Sequence, residues 1–347
     1  MRVAVMGCGS LGTILGAYLT KGGYDVTMVD AYKEHVDALN KDGAHIVGTV
    51  DFVQPVKACT PEEMEGIYDL IIYMAKQTFN ATAIPQLAAH IDENSTVCVC
   101  QNGIPEYAVA DVIGPERVVG APVAWGATFK GPGCSALTTS GNANVFTAGA
   151  LTGPINDRVL LVKKVLEAFC PVHTTDNLAG VRWTKLIVNA TYSAIGTCFG
   201  YTFGQISDSE DCVKLALRIG KEVIDVCAEK GITLEEYEGV NFYAAHKRGN
   251  AKTNSDSMAV IRSYWYGHET GEASMLQDLK RGKKCEINEI NGLVCKFGRE
   301  VGIPTPVNDM CVEVITKIQN GELTYTPDNM KYFEKFLTNV KSLADEK

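Results

Sequence analysis

Arg2-Val3-Ala4-Val5-Met6-Gly7-Cys8-Gly9-Ser10-Leu11-Gly12 opens the chain, and a helical stretch through Thr20 separates it from Asp25-Val26-Thr27-Met28-Val29-Asp30. A short apolar run ending in glycine reads as a buried strand, and the 3.6-residue spacing after Gly12 reads as a helix. The three glycines have separate tasks. The first allows a tight turn, the second lets backbone N–H groups approach a pyrophosphate, and the third lets the helix pack on the strand. An acid at the end of the second strand, roughly 20 residues on, completes the pattern. The stretch therefore predicts a dinucleotide site built by Gly7, Cys8, Gly9, Ser10, Leu11 and Gly12. A carboxylate at Asp30 accepts the ribose hydroxyls of NAD and repels the 2′-phosphate of NADP. NAD is the expected cofactor, with NADP the second choice because Tyr32 and Lys33 stand next to that acid.

Further along, the alternation continues. Tyr68–Ala75 is an apolar run suited to a parallel strand, Gln77–His90 reads as helix, and Ser95–Cys100 as another buried strand. Both strands run into polar residues, Lys76-Gln77 and Gln101-Asn102-Gly103. Ligands of open α/β sheets bind at the carboxyl ends of strands, so Lys76 and Asn102 are candidate site residues. Short β-rich pieces between Arg117 and Gly149 (Val118-Val119, Val123–Phe129, Asn144–Thr147) are expected to close this sheet as antiparallel strands and hairpins. Ile155–Phe169 reads as a helix and Pro171–Thr175 as a short strand or connector. Beyond Asp176 the period is helical, with candidates at Leu178–Phe199, Ser209–Lys230, Ser274–Arg281, Cys285–Val301 and Val307–Gln319. A length of 347 residues exceeds the roughly 250–300 that one core supports. Two domains follow: an α/β dinucleotide-binding domain over 1–175 and an all-helical one over 176–347.

Composition excludes several classes. A net charge of -9 lacks the basic surface that nucleic acids require, and the dense basic run Lys280-Arg281-Gly282-Lys283-Lys284 reads as a solvated helix start. Twelve cysteines without CxxC pairs form neither a zinc framework nor a disulfide scaffold, which implies a reducing, cytoplasmic setting. Cys98 and Cys100 share a strand face and are expected in the core. His246 and His268 have no second ligand at helical spacing, so no metal is expected. No apolar run reaches the ~18 residues of a membrane span.

In the second half, Lys185, Asn189 and Ser193 fall four apart and share a helix face. On residue type alone Lys185 and Glu286 read as solvated helix residues. The ordered motifs change that reading. Gly7-Cys8-Gly9-Ser10-Leu11-Gly12, Lys76, Gln101-Asn102-Gly103, the Trp183-to-Asn189 helix, Ser274-Met275-Leu276-Gln277-Asp278 and Cys285-Glu286-Ile287-Asn288-Glu289-Ile290-Asn291-Gly292 resemble the ketopantoate reductase family across nearly the whole chain. The resemblance implies a Rossmann-type domain followed by a helical bundle like the C-terminal domain of 6-phosphogluconate dehydrogenase. It implies that Lys185 is the catalytic lysine, Glu286 its acidic partner, Asn102, Asn189, Ser193 and Ser274 substrate contacts, and Lys76 a cofactor-side lysine. The expected reaction is reduction of a small branched 2-oxo acid, 2-dehydropantoate to D-pantoate first. The alternatives are an NAD-dependent D-2-hydroxyacid dehydrogenase of the same family and, more distantly, a non-catalytic NAD sensor. Three departures stand out: Asp30 replaces a basic residue of NADPH-using relatives, Ser193 replaces a second asparagine, and Ala245–Glu272 is long. Tyr264-Trp265-Tyr266 in that segment serves helix packing, a homodimer contact or a lid.

Overall fold

Val3, Ala4, Val5 and Met6 are all buried, as a strand covered on both faces requires. This strand, β1 (Arg2–Met6), sits inside an eight-stranded sheet. The computed structural model describes residues 1–139, 145–236, 239–243, 251–266 and 268–337, and the chain divides into two compact units, Met1–Leu178 and Ala179–Lys347. In the first unit the strands are β1, β2 (Asp25–Val29), β3 (Ala44–Gly48), β4 (Phe52–Gln54), β5 (Lys57–Cys59), β6 (Leu70–Tyr73), β7 (Thr96–Val99), β8 (Val118–Gly120), β9 (Ala127–Gly131), β10 (Cys134–Leu137), β11 (Phe146–Ala150) and β12 (Val172–Thr175). The large sheet has the order β12-β11-β8-β7-β6-β1-β2-β5. From β5 to β8 every neighbouring pair is parallel, while β11 runs antiparallel to β8. The chain steps outward from β1 in one direction through β2 and β5, then resumes on its other side at β6. That reversal is the switch point at which open α/β sheets bind ligands.

Alternate residues of β1 feed two cores. Val3 and Val5 join Ile14, Leu15 and Leu19 of helix α1 (Ser10–Lys21) on one face, while Ala4 and Met6 join Ile71, Tyr73, Val97 and Val99 on the other. Each fully buried Ile or Leu adds about 1.5–3 kcal/mol. One sequence expectation fails here. Residues 127–137 do not close the large sheet: β9 and β10 join β3 and β4 in a separate four-stranded sheet, order β4-β3-β10-β9. Local pattern specifies a strand but not its partner, and the edges of β3 supply pairing for β10 on one side and β4 on the other. Asn144 lies outside the described residues.

The second unit is helical. Its longest helix, Glu210–Glu229, is capped by the Ser209 side chain, which accepts from Cys212 N at 3.3 Å, and buries Val213, Leu215, Ile219, Val223 and Val226. Two expected helices differ from their expected spans. Leu178–Phe199 is an α-helix over Leu178–Val188, a π-helical turn over Asn189–Ser193 and an α-helix over Ala194–Phe199. Cys285–Val301 is helical only from Asn291. Its first residues, 285–290, form turns that lead into the helix. Trp265 is packing: it stacks on Tyr192 at 4.6 Å and meets Phe203 at 4.1 Å, while Tyr266 is 84% exposed. His246 and residues 341–347 lie outside the described residues.

Candidate active site

The glycine loop joins β1 to α1. The Gly7 N–H donates to Val29 O at 2.8 Å and its φ is +96°. A Cβ there would stand 2.2 Å from the backbone nitrogen of Ala75, the residue that follows β6 and Met74. A Cβ on Gly12 would stand 2.3 Å from Gly7 O, so helix and turn touch backbone to backbone. Gly9 is different: a Cβ there would meet nothing within 4 Å. The first bond of α1 is Thr13 N to Gly9 O, 3.1 Å, so the N–H groups of Ser10, Leu11 and Gly12 precede the helical ladder. With no acid in that first turn, the positive end of the helix faces open space at Gly9, a fit for a pyrophosphate. Cys8 is buried, donates its Sγ–H to Val5 O, and has its thiol pKa pushed well up, first by burial and then by the charge of Asp30. Asp30 follows β2; one carboxylate oxygen accepts the Tyr32 N–H at 2.9 Å, holding the turn at the strand end.

A further residue supports this loop. His35, on helix α2 (Lys33–Asp42), is 1% exposed. Gly133 N–H donates to its Nδ1 at 2.9 Å, so Nδ1 is the acceptor and the ring proton sits on Nε2, 2.7 Å from Cys8 O. Thr13 Oγ1 lies 2.7 Å from the Cys8 and Gly9 carbonyls. Burial lowers the His35 pKa, partly opposed by Asp30. Sequence reasoning missed His35. The available signal was its place beside Val36 and Leu39 on the apolar face of a helix.

Lys76 and Asn102 are half-buried at the ends of β6 and β7. Gln77 Nε2 donates to Asn102 O at 2.6 Å, and both Gln101 Nε2 and the Tyr73 hydroxyl donate to Asn80 Oδ1, at 2.9 and 2.7 Å. The two loops are thereby tied together at the carboxyl ends of the strands, the same end of the sheet that carries Gly7 and Ala75. The cofactor candidates Gly7–Gly12, Asp30, Lys76 and Asn102 thus all lie in the first unit.

The remaining candidates lie in the second unit. Lys185 is 7% exposed and Glu286 5%, which overturns the solvated reading of both. A buried charge is costly unless paired or used. Ser193 is buried, and Asn189 is half-buried with an Nδ2 that lacks a partner though shut off from solvent. A buried amide donor left open costs about 1–3 kcal/mol, which an incoming acceptor would recover. Ser274 is exposed at the start of the helix Ser274–Lys280, which packs against the π-turn. Among the described residues no three His, Cys, Asp or Glu side chains are gathered for a metal. All twelve cysteines are free, Cys98 and Cys100 buried with their sulfurs 3.7 Å apart. No described helix is long and apolar enough to cross a membrane.

A parallel sheet with an open glycine turn at its switch point defines a dinucleotide-binding protein of the Rossmann class, here followed by a helical domain. The family described as ketopantoate reductase PanE/ApbA matches residues 3–148, and its C-terminal counterpart matches residues 177–319. The chain belongs to the ketopantoate reductase family and is an oxidoreductase. Among curated relatives, the 2-dehydropantoate 2-reductase of Pyrococcus abyssi is 27% identical over 315 residues, covering 89% of this chain and 94% of that one. That of Mesorhizobium japonicum is 25% identical over 343 residues, covering 92% and 98%. Two solved structures share the fold. D-mandelate dehydrogenase with NADH and anilino(oxo)acetate has a TM-score of 0.80 at 22% identity, covering 92% of this chain and 99% of that one. The PanE/ApbA family ketopantoate reductase of Ralstonia eutropha JMP134 has a TM-score of 0.78 at 24% identity, with the same coverage.

Proposed function

We propose that this chain is an NAD(H)-preferring reductase of a small branched 2-oxo acid, with 2-dehydropantoate to D-pantoate as the leading reaction. The observation that carries the proposal is a buried Lys185 on the helix that leads into the open Asn189 amide, in a chain of this family. When bound, the reduced nicotinamide supplies hydride to the carbonyl carbon. Charge then builds on the carbonyl oxygen, where the Lys185 ammonium donates a hydrogen bond and gives up its proton. Glu286 orients that ammonium, Asn189 and Asn102 donate amide hydrogens to substrate oxygens, and Ser274 donates to the substrate carboxylate. The loop Gly7–Gly12 holds the pyrophosphate, Asp30 the ribose, and Lys76 the nicotinamide end.

A second reading keeps these roles and changes the substrate to other branched 2-oxo acids, as a D-2-hydroxyacid dehydrogenase. Ser193 favours it, since a short hydroxyl stands where the family's second asparagine would reach a terminal substrate hydroxyl. The structural neighbour D-mandelate dehydrogenase agrees. Initial rates on 2-dehydropantoate and 2-oxoisovalerate, each with NADH and NADPH, separate the two. If 2-dehydropantoate is turned over no better than 2-oxoisovalerate, the first assignment falls. Lys185→Ala should lower kcat by roughly 10²–10⁴-fold, the scale of losing a general acid, with NADH binding retained. An unchanged kcat would sink the mechanism.

A further inference from the structure

The π-turn Asn189–Ser193 has a cause in the second unit. In a continuous α-helix the Ala194 N–H would bond to Ala190 O; here it bonds to Thr191 O. Ala190 O instead accepts from the Asn291 side chain, Nδ2 to O 2.9 Å, in a fully buried contact. A side chain inserted into the i→i−4 ladder is a recognised origin of such a break in regular helical bonding. Asn291 is itself held. Its Nδ2 also donates to Asn308 Oδ1 at 2.9 Å, and Asn308 Nδ2 donates to Glu222 Oε2 at 2.7 Å. Glu222 receives two more donors from the first turn of the helix Pro306–Gln319, Val307 N at 2.9 Å and Asn308 N at 3.0 Å.

Every link has one direction. The backbone N–H groups can only donate to Glu222, so its carboxylate fixes Asn308 with its amide hydrogens toward it and Oδ1 away. That Oδ1 fixes Asn291 with Nδ2 toward Asn308 and toward Ala190 O. The orientation persists although it leaves Asn291 Oδ1 without a partner. A reversed amide would set oxygen against oxygen at both Ala190 and Asn308.

We propose that Glu222, Asn308 and Asn291 are positioning residues for the reduction: they hold Ala190 O out of the helical ladder and thereby aim the adjacent Asn189 amide at the substrate. None of the three touches substrate. The proposal rests on the assignment of Asn189 as a substrate contact, and it adds the residues that set its direction.

The test uses the full-length protein and three variants. Asn291→Ala removes the donor to Ala190 O. Glu222→Gln keeps shape but sets an amide against one of the three donors. Val294→Ala, in the same helix as Asn291 and equally buried, is the control for simple loss of packing. For a 2-oxo acid that the wild type reduces, Asn291→Ala is expected to raise KM ten-fold or more with the NADH Kd within two-fold. Glu222→Gln moves KM the same way by at least three-fold, and Val294→Ala leaves it within two-fold. In parallel, the side-chain amide resonance of Asn189 shifts in the first two variants and not in the control. This arm needs no turnover, so an error in the substrate reading leaves it standing. Should Asn291→Ala fail to fold, Glu222→Gln is judged by the same criteria. Folded variants with KM and the Asn189 resonance no further from wild type than Val294→Ala would overturn the proposal.

Discussion

Two glycines of one loop should fail in opposite ways when replaced by alanine. At Gly7 the backbone has φ +96° and an added Cβ would stand 2.2 Å from the Ala75 nitrogen and 2.5 Å from its Cα. Forcing an L-residue into a left-handed conformation costs about 1–2 kcal/mol, and overpacking a site that cannot retreat adds about 1–3. Gly7→Ala should therefore lose about 2–5 kcal/mol, or roughly 5–20 °C in the Tm of a unit this size. At Gly9 the added Cβ meets no protein atom, with φ -65° and ψ -144°. That φ suits alanine, and the unusual ψ costs about 1 kcal/mol. The methyl group would instead enter the open space at the start of α1, where the pyrophosphate is expected. Losing one charge-assisted hydrogen bond there is about 1.5–3 kcal/mol, a roughly ten- to hundredfold rise in the NADH Kd. Thermal denaturation without cofactor and fluorescence titration with NADH measure both effects. Gly7→Ala should melt early, and Gly9→Ala should melt close to wild type but bind NADH poorly. If Gly9→Ala binds NADH as the wild type does, the loop does not hold the pyrophosphate.

Asp30→Ser should shift the ratio of kcat/KM for NADH over NADPH toward NADPH by at least roughly ten-fold, because the carboxylate no longer repels the 2′-phosphate; an unmoved ratio would remove Asp30 from cofactor choice. His35 makes the loop sensitive to acid. Its pKa is lower in the folded chain than the ordinary value near 6.5, so the folded state binds fewer protons. The stabilisation is therefore full above about pH 6.5 and is lost as pH falls through the folded value. A protonated Nδ1 cannot accept the Gly133 N–H. Tm and NADH affinity should fall together below that pH, and His35→Gln should flatten the extra loss; a wild-type profile as flat as the variant's would show that His35 does not titrate there.

Much of the first unit was legible. Gly7 and Gly12 work through contacts with their own turn and the neighbouring strand, Gly9 through the space it leaves open, and apolar runs such as Val3–Met6 and Leu70–Tyr73 announce a sheet covered on both faces. The two-part order of sheet then helices was legible for the same reason, since period is a local property. The separate four-stranded sheet was not. Residues 127–137 carry strand character, but their pairing with β3 depends on edges far apart in the sequence.

The candidate site divides along the same line. The sequence by itself determined which residue types stand where: a lysine, an asparagine and a serine four apart on a helix, an acid ahead of Asn291, and a glycine turn followed by Asp30. Only the tertiary structure decided that Lys185 and Glu286 are buried, that Ser274 is exposed, and that the helix widens at Asn189. It also decided that His35 braces the glycine loop from Gly133, 98 residues away, and that Asn291 takes a carbonyl 101 residues away. Periodicity reports the face a residue occupies relative to its near neighbours. Burial, an open amide and a displaced hydrogen bond are set by what the rest of the chain brings to that face.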